Sequence, residues 1–275
     1  MRIECEICPH RCKIEEGHIG LCKARRNTNG KIISDNYGKL TALALDPIEK
    51  KPLYHFQPGS RILSVGSYGC NLSCPFCQNC DISMVGSDRI ETQQVTVQEL
   101  VGKAMELRSM GNIGIAYTYN EPLIGFEFVR DCAAAAKEQG LKNVAVTNGY
   151  LCEEPLRELL PLMDAFNIDL KGFTEEFYHK LHGDLATVKR TIQLASQTNH
   201  VEVTTLIIPG ENDSEEEMEE LSSWLADLSP ELPLHISRFF PRYLMQDKNA
   251  TPVSKVYRLA EVARRKLHYV HEGNC

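Results

Sequence analysis

From residue 61 onward, short apolar runs alternate with longer segments in which apolar residues recur at helical spacing. This alternation is typical of parallel βα units. The predicted strands cover residues 62–65, 113–117, 144–147, 166–170, 201–207 and 234–237. Six such units indicate an α/β fold, an incomplete (β/α)6 TIM-like barrel, whose chemistry should lie at the carboxyl ends of the strands.

Boundary signals support the helices between these strands. Thr96 and Glu99 have the spacing of a capping box in front of an apolar stripe. A second helix is predicted over residues 124–138. A third should follow Ser214, because the glutamates at 215–217 suit the positive end of a helix dipole.

The first 60 residues differ from the rest of the chain. They hold four cysteines within 22 residues, followed by short alternating stretches such as 39–45 that suggest strands. We therefore predict a small cysteine-rich, metal-binding accessory module over residues 1–60 and a core domain over residues 61–275.

Charge and composition exclude several classes of function. A formal net charge of −7 argues against a nucleic-acid-binding surface, which requires clustered Lys and Arg. No apolar run approaches the roughly 20 residues that span a bilayer, and the first residues lack the features of a signal peptide. We expect a cytoplasmic protein without a membrane or nucleic-acid partner. Eleven cysteines in such a protein suggest metal binding or catalysis rather than disulfides.

Three cysteines, Cys70, Cys74 and Cys77, lie just past the first predicted strand. Thiolates at this spacing can converge on one small centre, and soft ligands of this kind select zinc, copper(I) or iron–sulfur. Three ligands to a four-iron cluster would leave one iron open to a substrate or cofactor. The alternative is a zinc site completed by a fourth thiolate from Cys80, Cys132 or Cys152.

The predicted fourth strand carries polar residues on one face. Asn167, Asp169 and Lys171 alternate with apolar residues that should pack outward against helices, so the polar set points into the barrel. Burying a charge costs several kcal/mol unless a partner compensates it. A mutual Asp169–Lys171 ion pair is one explanation, and a bound polar cofactor is the interpretation we favour.

Other predicted strands also end in polar residues. Residues 117–122 leave the second strand, residues 147–149 leave the third, and His235 and Ser237 lie on the last. An isolated His is usually structural and an Asn-Gly pair is usually a turn. Their predicted convergence on one end of the barrel indicates a binding site instead.

The three-cysteine loop, with an aromatic residue before its last cysteine, resembles that of the radical S-adenosylmethionine (SAM) superfamily. Segments 46–53, 78–83 and 237–241 resemble a narrower group, the AmmeMemoRadiSam-system radical SAM proteins. These are relatives of the pyruvate formate-lyase activating enzymes, and the resemblance covers nearly the whole chain.

This resemblance implies a 4Fe-4S cluster on Cys70, Cys74 and Cys77, with SAM on the open iron. Residues implied to shield the cluster or contact SAM are Phe76, Glu121, Asn148, Asp169, Lys171 and His235. Phe76 would shield the cluster, Glu121 would bind the SAM amino group, and His235 would reach the ribose or carboxylate. The apolar segment 207–210 would pack on adenine.

The amino-terminal cysteines, Cys5, Cys8, Cys12 and Cys22, offer four thiolates within 18 residues. Four soft ligands can close a structural zinc site or hold an auxiliary iron–sulfur cluster. They can also remain unmetallated thiols. His10 or His18 could replace one thiolate.

The resemblance also implies a reaction. The reduced cluster would cleave SAM to methionine and a 5′-deoxyadenosyl radical, which would abstract hydrogen from a substrate. The leading hypothesis is a partner protein, activated for example as a glycyl-radical enzyme, with a flavodoxin- or ferredoxin-type electron donor. A second hypothesis is a small molecule or peptide in a system with AMMECR-type and Memo-like partners. A third is an iron–sulfur electron-transfer protein that does not cleave SAM. No catalytic residue is assigned.

Overall fold

The computed structural model describes residues 1–275 and contains fourteen strands and eight α-helices. The strands are β1 (Ile3–Glu4), β2 (Lys13–Ile14), β3 (Arg25–Thr28), β4 (Lys31–Ser34), β5 (Lys39–Leu40), β6 (Ala42–Pro47), β7 (Arg61–Gly66), β8 (Gln93–Gln94), β9 (Asn112–Tyr117), β10 (Lys142–Thr147), β11 (Ala165–Asp169), β12 (His200–Ile207), β13 (Leu234–Arg238) and β14 (Val270–Gly273). The helices are α1 (Cys80–Ser83), α2 (Val97–Glu106), α3 (Phe126–Glu138), α4 (Glu153–Leu159), α5 (Glu175–Lys180), α6 (Leu185–Ala195), α7 (Glu215–Leu228) and α8 (Val253–Ala263).

A single eight-stranded sheet organises the fold, in the order β14-β13-β12-β11-β10-β9-β7-β6. All neighbouring pairs from β7 to β14 are parallel. The six predicted strands correspond to β7 and β9–β13, and helices connect successive strands. The predicted α/β class and partial barrel are confirmed, and the carboxyl ends of the parallel strands share one edge.

The sequence analysis missed β14, and it did not assign β6 to this sheet, although the predicted strand stretch 39–45 overlaps β6. The strand β6 lies inside the segment assigned to the accessory module, yet it pairs antiparallel with β7 from Ala42↔Gly66 to Pro47↔Arg61. At the other edge β14 extends the sheet parallel to β13. Part of the segment assigned to the accessory module therefore contributes to the barrel sheet, because β6 finds its hydrogen-bond partners in β7.

The predicted helix starts are well reproduced. The capping box of Thr96 and Glu99 is formed in both directions at the start of α2. The second helix begins at Phe126, after a short 3-10 turn, and α7 follows Ser214, whose hydroxyl accepts the Glu217 N–H. No helix has the length and apolar character that a membrane crossing requires.

The alternation of β11 shows how packing positions the polar residues. Phe166 and Ile168 are fully buried in the main core, where each such side chain contributes about 1.5–3 kcal/mol by leaving water. That burial fixes the register of the strand, because a shift by one residue would turn the apolar side chains to the opposite face. Asn167 and Asp169 consequently face the other side.

The small amino-terminal module consists of the antiparallel pairs β1–β2 and β3–β4. Arg25, buried in β3, forms a two-point ion pair with Glu127 of α3, at 2.5 and 2.8 Å. The backbone N–H of Cys152 donates a hydrogen bond to Ile7 O at 3.0 Å, a typical N–H···O distance. The module is thus fastened to the barrel at two separate places.

Candidate active site

A cavity of about 360 Å³ lies at the carboxyl ends of the parallel strands. Each of the strands β7 and β9–β13 contributes to its lining, through its last residues or through the loop that follows it. One lining residue from each, in strand order, is Cys70, Glu121, Asn148, Asp169, Leu206 and Ser237. The cavity thus lies at the end of the barrel where the active sites of this fold are found.

The cysteine loop after β7 presents all three thiols to this cavity. Cys74 is buried, and Cys70 and Cys77 are partly buried. Asn71 fastens the loop by donating to Tyr150 O at 2.6 Å. Burial raises the pKa of the Cys74 thiol to about 12, so metal binding there must displace a proton.

The donor set fits an iron–sulfur cluster. Cys70, Cys74 and Cys77 line one cavity together, and a 4Fe-4S cluster would bind each thiolate to a different iron. None of the residues considered as a fourth zinc ligand lines the cavity, namely Cys80, Cys132 and Cys152.

Phe76 lines the cavity beside the thiols and is 3% exposed. Its ring stacks on Phe177 with centroids 6.1 Å apart and planes 10° from parallel. This packing holds an apolar wall next to the cysteines, which limits the access of water.

Asp169 and Lys171 both line the cavity and form an ion pair at 2.7 Å. Burial alone would lower the pKa of Lys171, but the charge and hydrogen bond of Asp169, together with the neighbouring Cys74, outweigh it and raise that pKa. The two residues therefore form the predicted ion pair and also face the cavity. The ion pair is compatible with the other explanation, a bound polar cofactor.

Glu121 and Asn148 line the cavity as parts of one hydrogen-bond network. The Glu121 carboxylate accepts bonds from the Asn148 N–H and the Thr147 hydroxyl, both at 2.7 Å, and from the Leu123 N–H at 2.9 Å. Burial raises the pKa of Glu121 to about 7 despite these donors. Asn148 Nδ2 in turn lies 3.6 Å from Cys70 Sγ, so the network reaches the cysteine loop.

His235 does not line this cavity. It lies near the amino end of β13, and its Nε2 is 2.6 Å from the carboxylate of Glu202, which is fully buried. Strand alternation instead directs Ser237, two residues later and nearer the carboxyl end, to the cavity. The structure thus places the His235 side chain against Glu202 and apart from the other residues implied to contact SAM.

The apolar segment 207–210, expected to pack on adenine, does not line the cavity. Ile207 and Ile208 are at most 1% exposed and belong to the main core. Leu206 and Thr204 of the same strand line the cavity. The cavity-facing side chains of β12 are therefore Thr204 and Leu206, on the face opposite Ile207.

The cavity has a further polar wall that the sequence analysis did not assign to the site. Lys51, in the loop after β6, lies 2.9 Å from Asp46 and 4.6 Å above the ring of Tyr119. Tyr119 donates its hydroxyl to Asp46 at 2.7 Å. Burial opposes ionisation of Asp46, but the Lys51 and Tyr119 hydrogen bonds prevail and lower its pKa to about 2. Lys50, Lys51 and Tyr119 line the cavity, and the only available sequence signal was segment 46–53.

The four amino-terminal cysteines surround a second, much smaller cavity of about 10 Å³. His10, Arg25 and Ile124 also line it, whereas His18 does not. Burial is the main cause that raises the pKa of Cys8 to about 12 and that of Cys22 to about 11. The four predicted ligands are therefore brought together.

Comparison with known proteins agrees with this geometry. The family model of the radical SAM superfamily matches residues 64–222. An uncharacterized protein of Methanocaldococcus jannaschii is 41% identical over 99% of this chain and 81% of its own. The pyruvate formate-lyase 1-activating enzyme of Escherichia coli K12 is 27% identical over 62% of this chain and 70% of its own.

Solved structures share the fold. SuiB of Streptococcus suis, bound to S-adenosylmethionine, superposes with a TM-score of 0.61 at 13% identity, covering 78% of this chain and 52% of that one. QueE of Escherichia coli gives 0.55 at 12% identity, covering 86% and 93%. With homology to activating enzymes and a matching family model over more than half its length, the chain belongs to the radical SAM superfamily of enzymes.

Proposed function

We propose that this protein binds a 4Fe-4S cluster through Cys70, Cys74 and Cys77 and cleaves SAM reductively. The observation that carries the proposal is that these three thiols line one cavity together with the Asp169–Lys171 pair and Asn148. When bound, the cluster and SAM supply a 5′-deoxyadenosyl radical, and the protein provides binding, orientation and exclusion of water.

The lining residues have distinct tasks in this proposal. The ion pair of Asp169 and Lys171 offers both a carboxylate and an ammonium group to the charged groups of SAM. Asn148 directs an amide N–H toward Cys70 Sγ, where it would stabilise a thiolate. Phe76 shields the thiols, and Leu206 offers an apolar surface to the adenine ring. Glu121 acts by holding Thr147 and Asn148 in place.

We propose hydrogen abstraction from a partner protein as the second half of the reaction, as in activation of a glycyl-radical enzyme. The support is the homology to pyruvate formate-lyase activating enzymes over 62% of the chain. A cytoplasmic electron donor of the flavodoxin or ferredoxin type would supply the electron.

The narrower likeness to AmmeMemoRadiSam-system proteins supports a second candidate, a small-molecule or peptide substrate with AMMECR-type and Memo-like partners. The three segments that carry this likeness all reach the same cavity. Their lining residues are Lys50, Lys51, Gln78, Asn79, Ser83 and Ser237. A substrate bound there would meet Lys50 and Lys51, which share the single carboxylate partner Asp46 and so leave a net positive charge that favours an anionic group.

The first test is SAM cleavage by the anaerobically reconstituted, dithionite-reduced protein, measured as 5′-deoxyadenosine by liquid chromatography. We expect product from the wild type and from Cys80→Ala, whose thiol does not line the cavity, and none from Cys74→Ala. A wild-type protein with a full cluster that forms no 5′-deoxyadenosine would reject the enzyme proposal.

The second test concerns the target. A glycyl-radical enzyme of the pyruvate formate-lyase type is added to the reduced protein with SAM, and its glycyl radical is sought by electron paramagnetic resonance. A radical formed in step with 5′-deoxyadenosine supports activation. Product formed without a radical on that partner favours the small-molecule or peptide substrate.

A further inference from the structure

The loop 48–55, which follows β6, is fastened to the inside of the barrel. The backbone oxygen of Pro52 accepts a 2.8 Å hydrogen bond from Asn167 Nδ2 of β11. The backbone N–H of His55 donates a 2.8 Å hydrogen bond to the carboxylate of Glu202 in β12. Both barrel residues are at most 1% exposed. The loop is therefore held from the barrel side, and the side chains that it presents to the cavity have fixed positions.

Lys51 brings a buried charge from this loop to the cavity wall. Its side chain is only 4% exposed, and its Nζ lies 2.9 Å from Asp46 and 4.6 Å above the ring of Tyr119. Burial lowers the pKa of Lys51, although the Asp46 carboxylate acts in the opposite direction. One carboxylate therefore does not fully compensate for burying this ammonium group, and a second anion would stabilise it.

Tyr119 is held in an unusual backbone conformation beside Lys51. Its φ is +73°, in a region that residues other than glycine rarely adopt. Its hydroxyl donates to Asp46 at 2.7 Å, and its backbone oxygen accepts from Asn79 Nδ2 at 2.6 Å. A Cβ built on Gly66 would lie 2.8 Å from the tyrosine ring, so the ring packs directly on the backbone. Strained residues held by several contacts are concentrated at functional sites, which indicates a binding subsite here.

The charges around the cavity leave this wall positive. The charged residues that line the cavity are Lys50, Lys51, Glu121, Asp169 and Lys171. Asp169 and Lys171 compensate each other in an ion pair at 2.7 Å. Glu121 is occupied by its own three hydrogen-bond donors. The two lysines of the loop share one carboxylate, that of Asp46. The excess positive charge therefore lies at the loop, where it attracts an anion.

We propose that the substrate is an anion whose carboxylate or phosphate group binds Lys51. This role of Lys51 rests on the proposed function, because that function gives the cavity a second ligand beside SAM. The ammonium group binds either oxyanion as a point charge, and Tyr119 and Asp46 hold it in place. The glycine residue that carries a glycyl radical has no charged group. An anion site therefore favours the small-molecule or peptide substrate over the activation of a glycyl-radical enzyme.

Anion binding is tested on the reconstituted protein, with sodium phosphate and sodium acetate as separate probes at constant ionic strength. Binding to the folded state raises the melting temperature as the concentration of the probe increases. Phosphate also stabilises proteins non-specifically, so the difference between variants is the quantity of interest. The probe that binds more tightly identifies the substrate group as a phosphate or a carboxylate.

Lys51→Met should raise the apparent Kd of that probe at least about tenfold, because the buried charge that pairs with the anion is lost. Lys103→Met is the matched control, since Lys103 is half exposed and pairs with Glu106 outside the cavity, and it should bind like wild type. Binding of neither anion, or equal binding by wild type and Lys51→Met, overturns the proposal.

A variant with the opposite expected effect guards against misfolding of Lys51→Met. Asp46→Asn removes the carboxylate that competes with the anion and keeps the lysine, so it should bind the same probe at least about threefold more tightly. Unchanged or weaker binding in Asp46→Asn contradicts the proposal.

SAM itself carries a carboxylate and is the competing occupant of this subsite. At saturating SAM the apparent Kd of the probe should stay within about twofold of its value without SAM. If SAM excludes the probe, Lys51 belongs to the SAM site and the proposal is wrong. Lys51-dependent anion binding by a protein that forms no 5′-deoxyadenosine would refute the enzyme function and leave the anion site in place. Formation of 5′-deoxyadenosine without Lys51-dependent anion binding would refute the anion site alone.

Discussion

The backbone N–H of Asn148 donates a 2.7 Å hydrogen bond to Glu121 Oε2, which joins the loop after β10 to the loop after β9. The Thr147 hydroxyl donates to the other carboxylate oxygen of Glu121 at the same distance. One buried carboxylate thereby sets the relative position of two strand ends that line the cavity. The geometry of the site depends on this residue even without direct contact to a cofactor.

Glu121→Gln should destabilise the fold by about 1–3 kcal/mol, because the amide replaces one accepting oxygen with a donor that faces other donors. Thr147→Val removes a hydroxyl that donates to Glu121 and accepts from the Gly149 N–H, and should cost about 1–2 kcal/mol. Unfolding in urea, followed by circular dichroism, measures both. Equal stability of Glu121→Gln and wild type would show that the network does not hold these loops.

Asp169→Asn should destabilise the protein by about 1–3 kcal/mol, since Lys171 loses its charge partner in a partly buried site. The double variant Asp169→Asn, Lys171→Met should recover most of that stability, because no uncompensated charge remains. Neither variant should bind SAM with wild-type affinity, as measured by equilibrium dialysis on the reconstituted protein. Recovery of SAM binding in the double variant would assign a purely structural role to the pair.

Glu202 should make the stability of the fold depend on pH in the acid range. Burial opposes its ionisation, but hydrogen bonds from His200 and His235, and from the backbone N–H groups of His55 and Tyr54, outweigh burial and lower its pKa to about 2. A depressed carboxyl pKa contributes stability that is present above the unfolded value, near 4.5, and is lost as the pH falls toward 2.

The loss attributable to Glu202 should reach about 3 kcal/mol, from roughly 2.5 pKa units at 1.36 kcal/mol each. About 2 kcal/mol of this should already be lost between pH 5 and pH 3, and urea unfolding of wild type and Glu202→Gln at both pH values isolates the part due to Glu202. Glu202→Gln should be less stable than wild type at pH 7, and the difference should shrink at pH 3. A constant difference across this range would contradict the proposed titration.

Gly69→Ala should disrupt the contact between the amino-terminal module and the cysteine loop. Gly69 has φ of +87°, and an added Cβ would lie 2.3 Å from Cys22 O, so the module would have to move. Gly59→Ala is the matched control, because Gly59 has φ of +82° and nothing within 4 Å of its built Cβ.

The control should lose about 1–2 kcal/mol, the ordinary cost of a side chain in the left-handed region. Gly69→Ala should lose more than this and should also retain less iron after anaerobic reconstitution. Thermal unfolding and iron analysis measure the two effects. If both variants behave alike, the module is not tightly packed on the loop.

Much of the fold could be read from the sequence because its signals are local. The six central strands alternate or run apolar within a few residues, and Thr96 with Glu99 marks a helix start within one turn. The three-cysteine spacing and the strict alternation of β11 likewise needed no distant information. They placed Cys70, Asp169 and Lys171 at one end of the barrel, where the structure has them.

What the sequence could not supply depended on partners far along the chain. The strand β6 belongs to the sheet because it forms hydrogen bonds with β7. No local pattern within residues 42–47 indicates this pairing. His235 faces Glu202, 33 residues away, and Ser237 takes the place by the cavity. Sequence periodicity determined which side chains share a face of each strand. Only the tertiary structure decided at which residue of each strand the cavity begins, because that position is set by packing between strands and not within them.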